Sequence, residues 1–109
     1  MLIAEQAYRL TARFPKDETY GMTSQIRRSA VSIAANIAEG HGRENSGSFI
    51  QFLRMSQGSL KELETHLLLA ERVNLVKTEQ VMPLLQKCDE LGKMTRSLIR
   101  SIQRRQSDD

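Results

Sequence analysis

The stretch from Ser46 to Val73 sets most of what this chain can become. Phe49, Phe52, Leu53, Ser56, Leu60, Leu63, Leu67 and Ala70 recur there at helical steps, with polar and charged residues between them. The spacing describes one apolar stripe along a helix of about eight turns and excludes the alternation of a strand. A helix with one apolar stripe has to bury it against other helices. Three further segments supply them. Ile26, Ala30, Ile33 and Ile37 form one seam. Leu84, Leu85, Cys88, Leu91, Thr95, Leu98 and Ile102 form another, and Leu2, Ile3, Gln6, Ala7 and Leu10 a short third.

The punctuation agrees. Pro15 ends the first segment, and the turn-rich run from Phe14 to Gly21 follows it. Gly40-His41-Gly42 closes the second helix, with glycine expected to take a left-handed cap conformation. Ser46-Gly47-Ser48 leads into the third helix, and Asn74 closes it. Thr78 is the expected N-cap of the fourth, with Glu79 beside it at the positive helix end. Pro83 then falls inside that helix and is expected to distort its first turn. The sequence thus predicts helices over residues 1–13, 22–40, 46–74 and 78–105 of a single 109-residue domain. Short connections imply an all-α, up-down-up-down antiparallel four-helix bundle with a shortened first helix. Only five residues are aromatic (Tyr8, Phe14, Tyr20, Phe49 and Phe52), so the core must be mainly aliphatic.

Several classes of function find no support. No apolar run approaches the roughly 20 residues that span a bilayer. Glu5 and Arg9 interrupt any signal-peptide pattern, so the expected location is the cytoplasm. Cys88 is the lone cysteine, read as a small core residue, and His41 and His66 are scattered. These make no metal cluster, and no metal or other cofactor is expected. No catalytic triad, carboxylate pair or phosphate-binding loop stands out, so the chain is read as no enzyme.

Two polar patterns remain. The second helix carries Gln25, Ser29, Ser32, Asn36 and Glu39 on one stripe, and the third carries Ser59, Glu62 and His66. A buried amide or carboxylate left unpaired costs on the order of 1–3 kcal/mol, so these rows are expected to face each other, within the bundle or across subunits, and fix helix register. Small residues Ser29, Ala30, Ala34, Ala35, Ala38 and Gly58 are read as sites of close helix approach. The other pattern is charge. The formal net charge is +3, and the surplus lies near the C-terminus, where Lys93, Arg96, Arg100, Arg104 and Arg105 meet no acid before Asp108. The first four of these line one helix face. Such a stripe is either a solvated helix end or a phosphate-binding surface, which Arg27, Arg28 and Arg43 would extend. Alternatively, Arg27 or Arg28 pairs with Glu62 or Glu39.

The segment Arg13-Phe-Pro-Lys-Asp-Glu-Thr-Tyr-Gly-Met-Thr-Ser-Gln-Ile-Arg-Arg-Ser-Ala-Val-Ser-Ile-Ala-Ala-Asn-Ile-Ala-Glu-Gly-His-Gly-Arg43 and the segment Gly58-Ser-Leu-Lys-Glu-Leu-Glu-Thr-His-Leu-Leu-Leu-Ala70 carry a family resemblance. Over Tyr8 to Ile102 the chain resembles the bacterial four-helix-bundle family related to proteins encoded in intervening sequences of large-subunit ribosomal RNA genes. That fold family includes the accessory variability proteins of diversity-generating retroelements. The chain departs from the family pattern at Ala34, where members usually have proline, and its first helix is short at the N-terminal end. The resemblance implies a bundle that assembles into a homo-oligomeric ring, typically a pentamer. In the retroelement relatives it implies binding of nucleic acid and a reverse transcriptase through basic surfaces. The expectation is an oligomeric RNA- or DNA-binding scaffold. The alternatives are a purely protein-binding structural module and an inert mobile-element product.

Overall fold

The computed structural model of the chain describes residues 2–108. Met1, the expected first helical residue, and Asp109 lie outside the described residues. Four α-helices follow one another: α1 (Leu2–Thr11), α2 (Met22–His41), α3 (Ser46–Arg72) and α4 (Thr78–Asp108), with a 3-10 turn at Lys16–Glu18 between α1 and α2. α1 packs on α2 and α4, α2 on α3, and α3 on α4. This closed circuit of neighbours is the up-down bundle, drawn out to 53 × 22 × 18 Å.

Local chemistry explains the helix ends. α1 stops at Thr11, two residues earlier than expected. The Phe14 N–H donates to the Thr11 carbonyl at 3.0 Å, and Phe14 turns inward ahead of Pro15. A residue before proline is pushed out of the helical region. α3 is capped by Asn45, whose side chain accepts from the Ser48 N–H at 2.7 Å. At its other end Asn74 has φ 65°, the Leu75 N–H reaches the Ala70 carbonyl at 2.9 Å, and the Asn74 N–H reaches Glu71 at 3.1 Å. This is a Schellman closure, and Leu75 packs against the cluster containing Ala70, as that motif favours.

Several expectations are corrected. Thr78 is the first residue of α4, and Lys77 stands at the cap position, its N–H bonded to Gln80 Oε1 at 2.9 Å. That is half of a capping box, in which the side chain three residues in reaches back to the cap. As expected, Pro83 lies inside α4. At the end of α2, Gly40 is helical, and among the described residues no glycine has positive φ. Its role is contact: a Cβ there would lie 2.8 Å from Phe52 Cβ and 3.0 Å from Phe49 Cδ1. Gly40 therefore lets α3 cross closely over the last turn of α2. Gly58, expected to do such work, is exposed, and a Cβ there would meet nothing within 4 Å. Ala35 and Ala38 are exposed as well.

The core is mainly aliphatic and has two parts. The larger runs through all four helices and includes Ala7, Ile26, Ile33, Leu63, Leu67, Val81 and Cys88. The smaller joins Ile50 and Leu53 of α3 to Ile99 and Ile102 of α4, with Ile37 and Phe49 against it. α1 is absent from this second cluster. At 10 residues against the 27 of α3, it spans about 15 Å of a bundle whose long helices run about 40 Å. On α4, Ile99 takes the buried position and Leu98 is 38% exposed, the reverse of the expectation. Within α3, Ser56 is buried and donates to the Ile33 carbonyl of α2 at 3.1 Å.

Candidate functional site

The polar rows of α2 and α3 meet at one point. Ser32 Oγ lies 2.8 Å from Ser59 Oγ, and Asn36 Nδ2 donates to the Ser32 carbonyl at 2.9 Å and to Ser32 Oγ at 3.1 Å. Three side chains on two helices thus satisfy each other, and that arrangement can hold register. The rest of the expected network does not join. Glu39 turns to Arg43 of its own helix end at 2.7 Å, and Glu62 lies 3.6 Å from His66 on its own helix. Both carboxylates are more than half exposed, where water already solvates the charge and no cross-helix partner is needed. Ser29 is buried but bonds back to the carbonyls of Gln25 and Ile26, so Gln25 contributes only its backbone. The suggested pairing of Arg27 or Arg28 with Glu62 or Glu39 does not form.

The expected basic set divides between the two ends of the molecule. Lys93, Arg96, Arg100, Arg104 and Arg105 are all exposed on the second half of α4. The first part of this stripe is mixed in sign. Lys93 pairs with Asp89 at 3.1 Å. Arg96 folds back toward Gly92 and borders a cleft of about 360 Å³ between α3 and α4, shared with Lys61, Glu64 and Asp89. The distal part is uniformly basic: among the described residues no ion pair engages Arg100, Arg104 or Arg105. Arg43 is at this end too, 5.0 Å over the ring of Phe52 while paired to Glu39. Arg54 is exposed beside Leu53 of the smaller core cluster. It escaped the sequence reading because it has no basic neighbour along α3.

Arg27 and Arg28 stand at the opposite end, where α1 finishes and α2 begins. Arg27 Nε donates to Thr11 Oγ1 at 2.8 Å, and its guanidinium lies 4.5 Å over the Tyr8 ring. This contact helps clamp α1 to α2. Along α4, the separation between Pro83, which borders the last turn of α1, and Arg104 is about 30 Å.

At the floor of the α3–α4 cleft is Cys88, fully buried. Burial, and secondarily the charge of Glu64, push its thiol from an ordinary 9.0 up to about 12. A thiol so disfavoured as thiolate is a poor nucleophile at neutral pH. Among the described residues no group of three His, Cys, Asp or Glu could hold a metal ion. No helix of the described residues is long and apolar enough to cross a membrane.

Comparison with known proteins bears on the fold and the family. A crystal structure of a protein of unknown function from the S23 ribosomal protein family of Bacteroides thetaiotaomicron superposes with a TM-score of 0.75 at 24% identity, covering 89% of this chain and 97% of that one. At that identity the likeness speaks to the fold. No curated protein matches the chain. Residues 1–97 match the family described as 23S rRNA-intervening sequence protein. That match takes in α1, α2, α3 and most of α4, and the chain belongs to the 23S rRNA-intervening sequence protein family.

Proposed function

We propose that the chain is a non-enzymatic homo-oligomeric scaffold, a five-membered ring, that binds nucleic acid through the basic second half of α4. The observation that carries this reading is the exposed set Arg100, Arg104 and Arg105 at one end of the bundle, without ion pairs among the described residues, with Arg43 and Arg54 at the same end. Guanidinium groups presented this way meet phosphate oxygens without first breaking an internal ion pair. Repetition of the stripe on each ring member would add avidity without any new contact. Apolar surface supports assembly. Leu68 and Leu69 on α3 and Val73 just past its end are about half exposed, and Met94 is 67% exposed on α4. Where α1 begins, Leu2, Ile33, Ile37, Leu91 and Met94 line a groove of about 260 Å³.

The test is direct. Light scattering is expected to report about five subunits per particle. Wild type is expected to bind labelled RNA or DNA with strong salt dependence, and Arg100→Glu with Arg104→Glu to weaken it severely. Both arginines are exposed, so the exchange should leave the fold intact. The rival is a protein-binding module that uses the apolar α3 face. It predicts no nucleic-acid binding even at low salt, and that result would remove the leading reading.

A further inference from the structure

Tyr20 is 95% exposed, on the connection between the 3-10 turn and α2. It borders a concavity of about 460 Å³ whose walls include Tyr8, Thr23, Ser24, Arg27 and Arg28. None of the residues lining this concavity is acidic. Glu18 stands next to the turn, its Oε1 3.6 Å from where a Cβ on Gly21 would stand. Arg27 and Tyr8 form a stacked pair held by the bond to Thr11, so one wall is a fixed plane. Arg28 is exposed, with no ion pair among the described residues.

We infer that this concavity is a second nucleic-acid contact, and that it takes an unpaired base. Tyr20 stacks the base, and Arg28 meets the neighbouring phosphate. The inference rests on the nucleic-acid reading above and adds strandedness to it. An aromatic face reads any base whose π-surface is free, and a duplex hides those surfaces. Two guanidinium groups, hydroxyl donors and no lining carboxylate suit a polyanion better than a protein surface of mixed charge. The fixed Tyr8–Arg27 plane reduces the ordering needed on binding. The aromatics at the α4 end, Phe49 and Phe52, are half-buried, with His41 against the first and Arg43 over the second, so the stripe would bind single and double strands alike through charge.

The experiment compares a labelled 20-nucleotide single-stranded RNA of mixed sequence with the same strand annealed into a duplex. Tyr20→Ala is expected to weaken single-strand binding about tenfold, to leave duplex binding unchanged and to keep the salt slope. Tyr20→Phe is expected to bind as wild type. Arg28→Ala is expected to lower the single-strand salt slope by about 0.7. The chain has no tryptophan and two tyrosines, so intrinsic fluorescence reports the site directly. Single-stranded RNA should quench it in wild type and much less in Tyr20→Ala. Unchanged single-strand affinity in Tyr20→Ala, or equal losses for both RNA forms, would overturn the inference. So would a change in particle mass in Tyr20→Ala, which would make Tyr20 a subunit contact. Binding that is abolished by Arg100→Glu with Arg104→Glu yet indifferent to Tyr20 sinks this inference alone. A wild type that binds neither RNA at low salt sinks the scaffold reading with it.

Discussion

Two glycine-to-alanine exchanges should move stability in opposite directions. Both Gly40 and Gly58 lie inside helices, where alanine is favoured over glycine by about 1 kcal/mol. At Gly58 a new Cβ meets nothing within 4 Å. Gly58→Ala should therefore realise that gain, about 4 °C in Tm for a chain of this size. At Gly40 the Cβ would fall 2.8 Å from Phe52 Cβ and 3.0 Å from Phe49 Cδ1. The Phe49 ring can swing away, but the Phe52 Cβ moves only with the backbone of α3. Overpacking of this kind costs about 1–3 kcal/mol, enough to cancel the helix gain. Gly40→Ala should lower Tm by up to about 8 °C. Circular dichroism melts of both variants at equal protomer concentration provide the assay, since assembly makes Tm depend on concentration. Stabilisation by Gly40→Ala equal to that by Gly58→Ala would refute the close crossing of α2 and α3.

Other consequences follow from single contacts. Asn36→Ala should lower Tm by about 4 °C, because Ser32 loses the amide that donates to both its carbonyl and its hydroxyl; an unchanged midpoint would remove Asn36 from the register device. Asn45→Ala should cost about 1 kcal/mol through loss of the α3 cap, measured by urea denaturation. Cys88 should resist thiol reagents in the native protein at pH 8 and react fully once urea unfolds it. Its folded pKa is raised to about 12 from 9.0. The stabilising linkage is therefore fully present below pH 9 and is lost as pH rises toward 12. Urea midpoints of wild type and Cys88→Ala should diverge in their pH dependence only over that window.

What could be read from the residues was whatever a single helix determines for itself. The stripe from Leu53 to Ala70 obeys helical periodicity, and Asn74 tolerates positive φ, so both were legible. Gly40 was not: glycine near a helix end looks like a cap, and only the position of Phe49 and Phe52 on another helix makes it a crossing point. Leu98 and Ile99 were ambiguous for a related reason. Adjacent apolar residues fit helical spacing nearly equally, and contact with Ile50 and Leu53 decides between them. The basic set was legible as a stripe on α4 but not as a patch. Charge on one helix says nothing about which end of the bundle another helix brings near. Structure places Arg43 with the stripe and leaves Arg27 and Arg28 about 20 Å back along α2. It also exposes Arg54, which has no stripe of its own.

The most direct test of the scaffold reading is the salt dependence of RNA binding by the oligomer. The logarithm of the binding constant should fall linearly with the logarithm of salt concentration. For single strands, Arg100→Glu with Arg104→Glu should make that slope shallower by at least about 1.4, as two phosphate contacts are lost from each engaged subunit. A slope and affinity identical to wild type would contradict the account and return the basic end of α4 to the status of a solvated helix face.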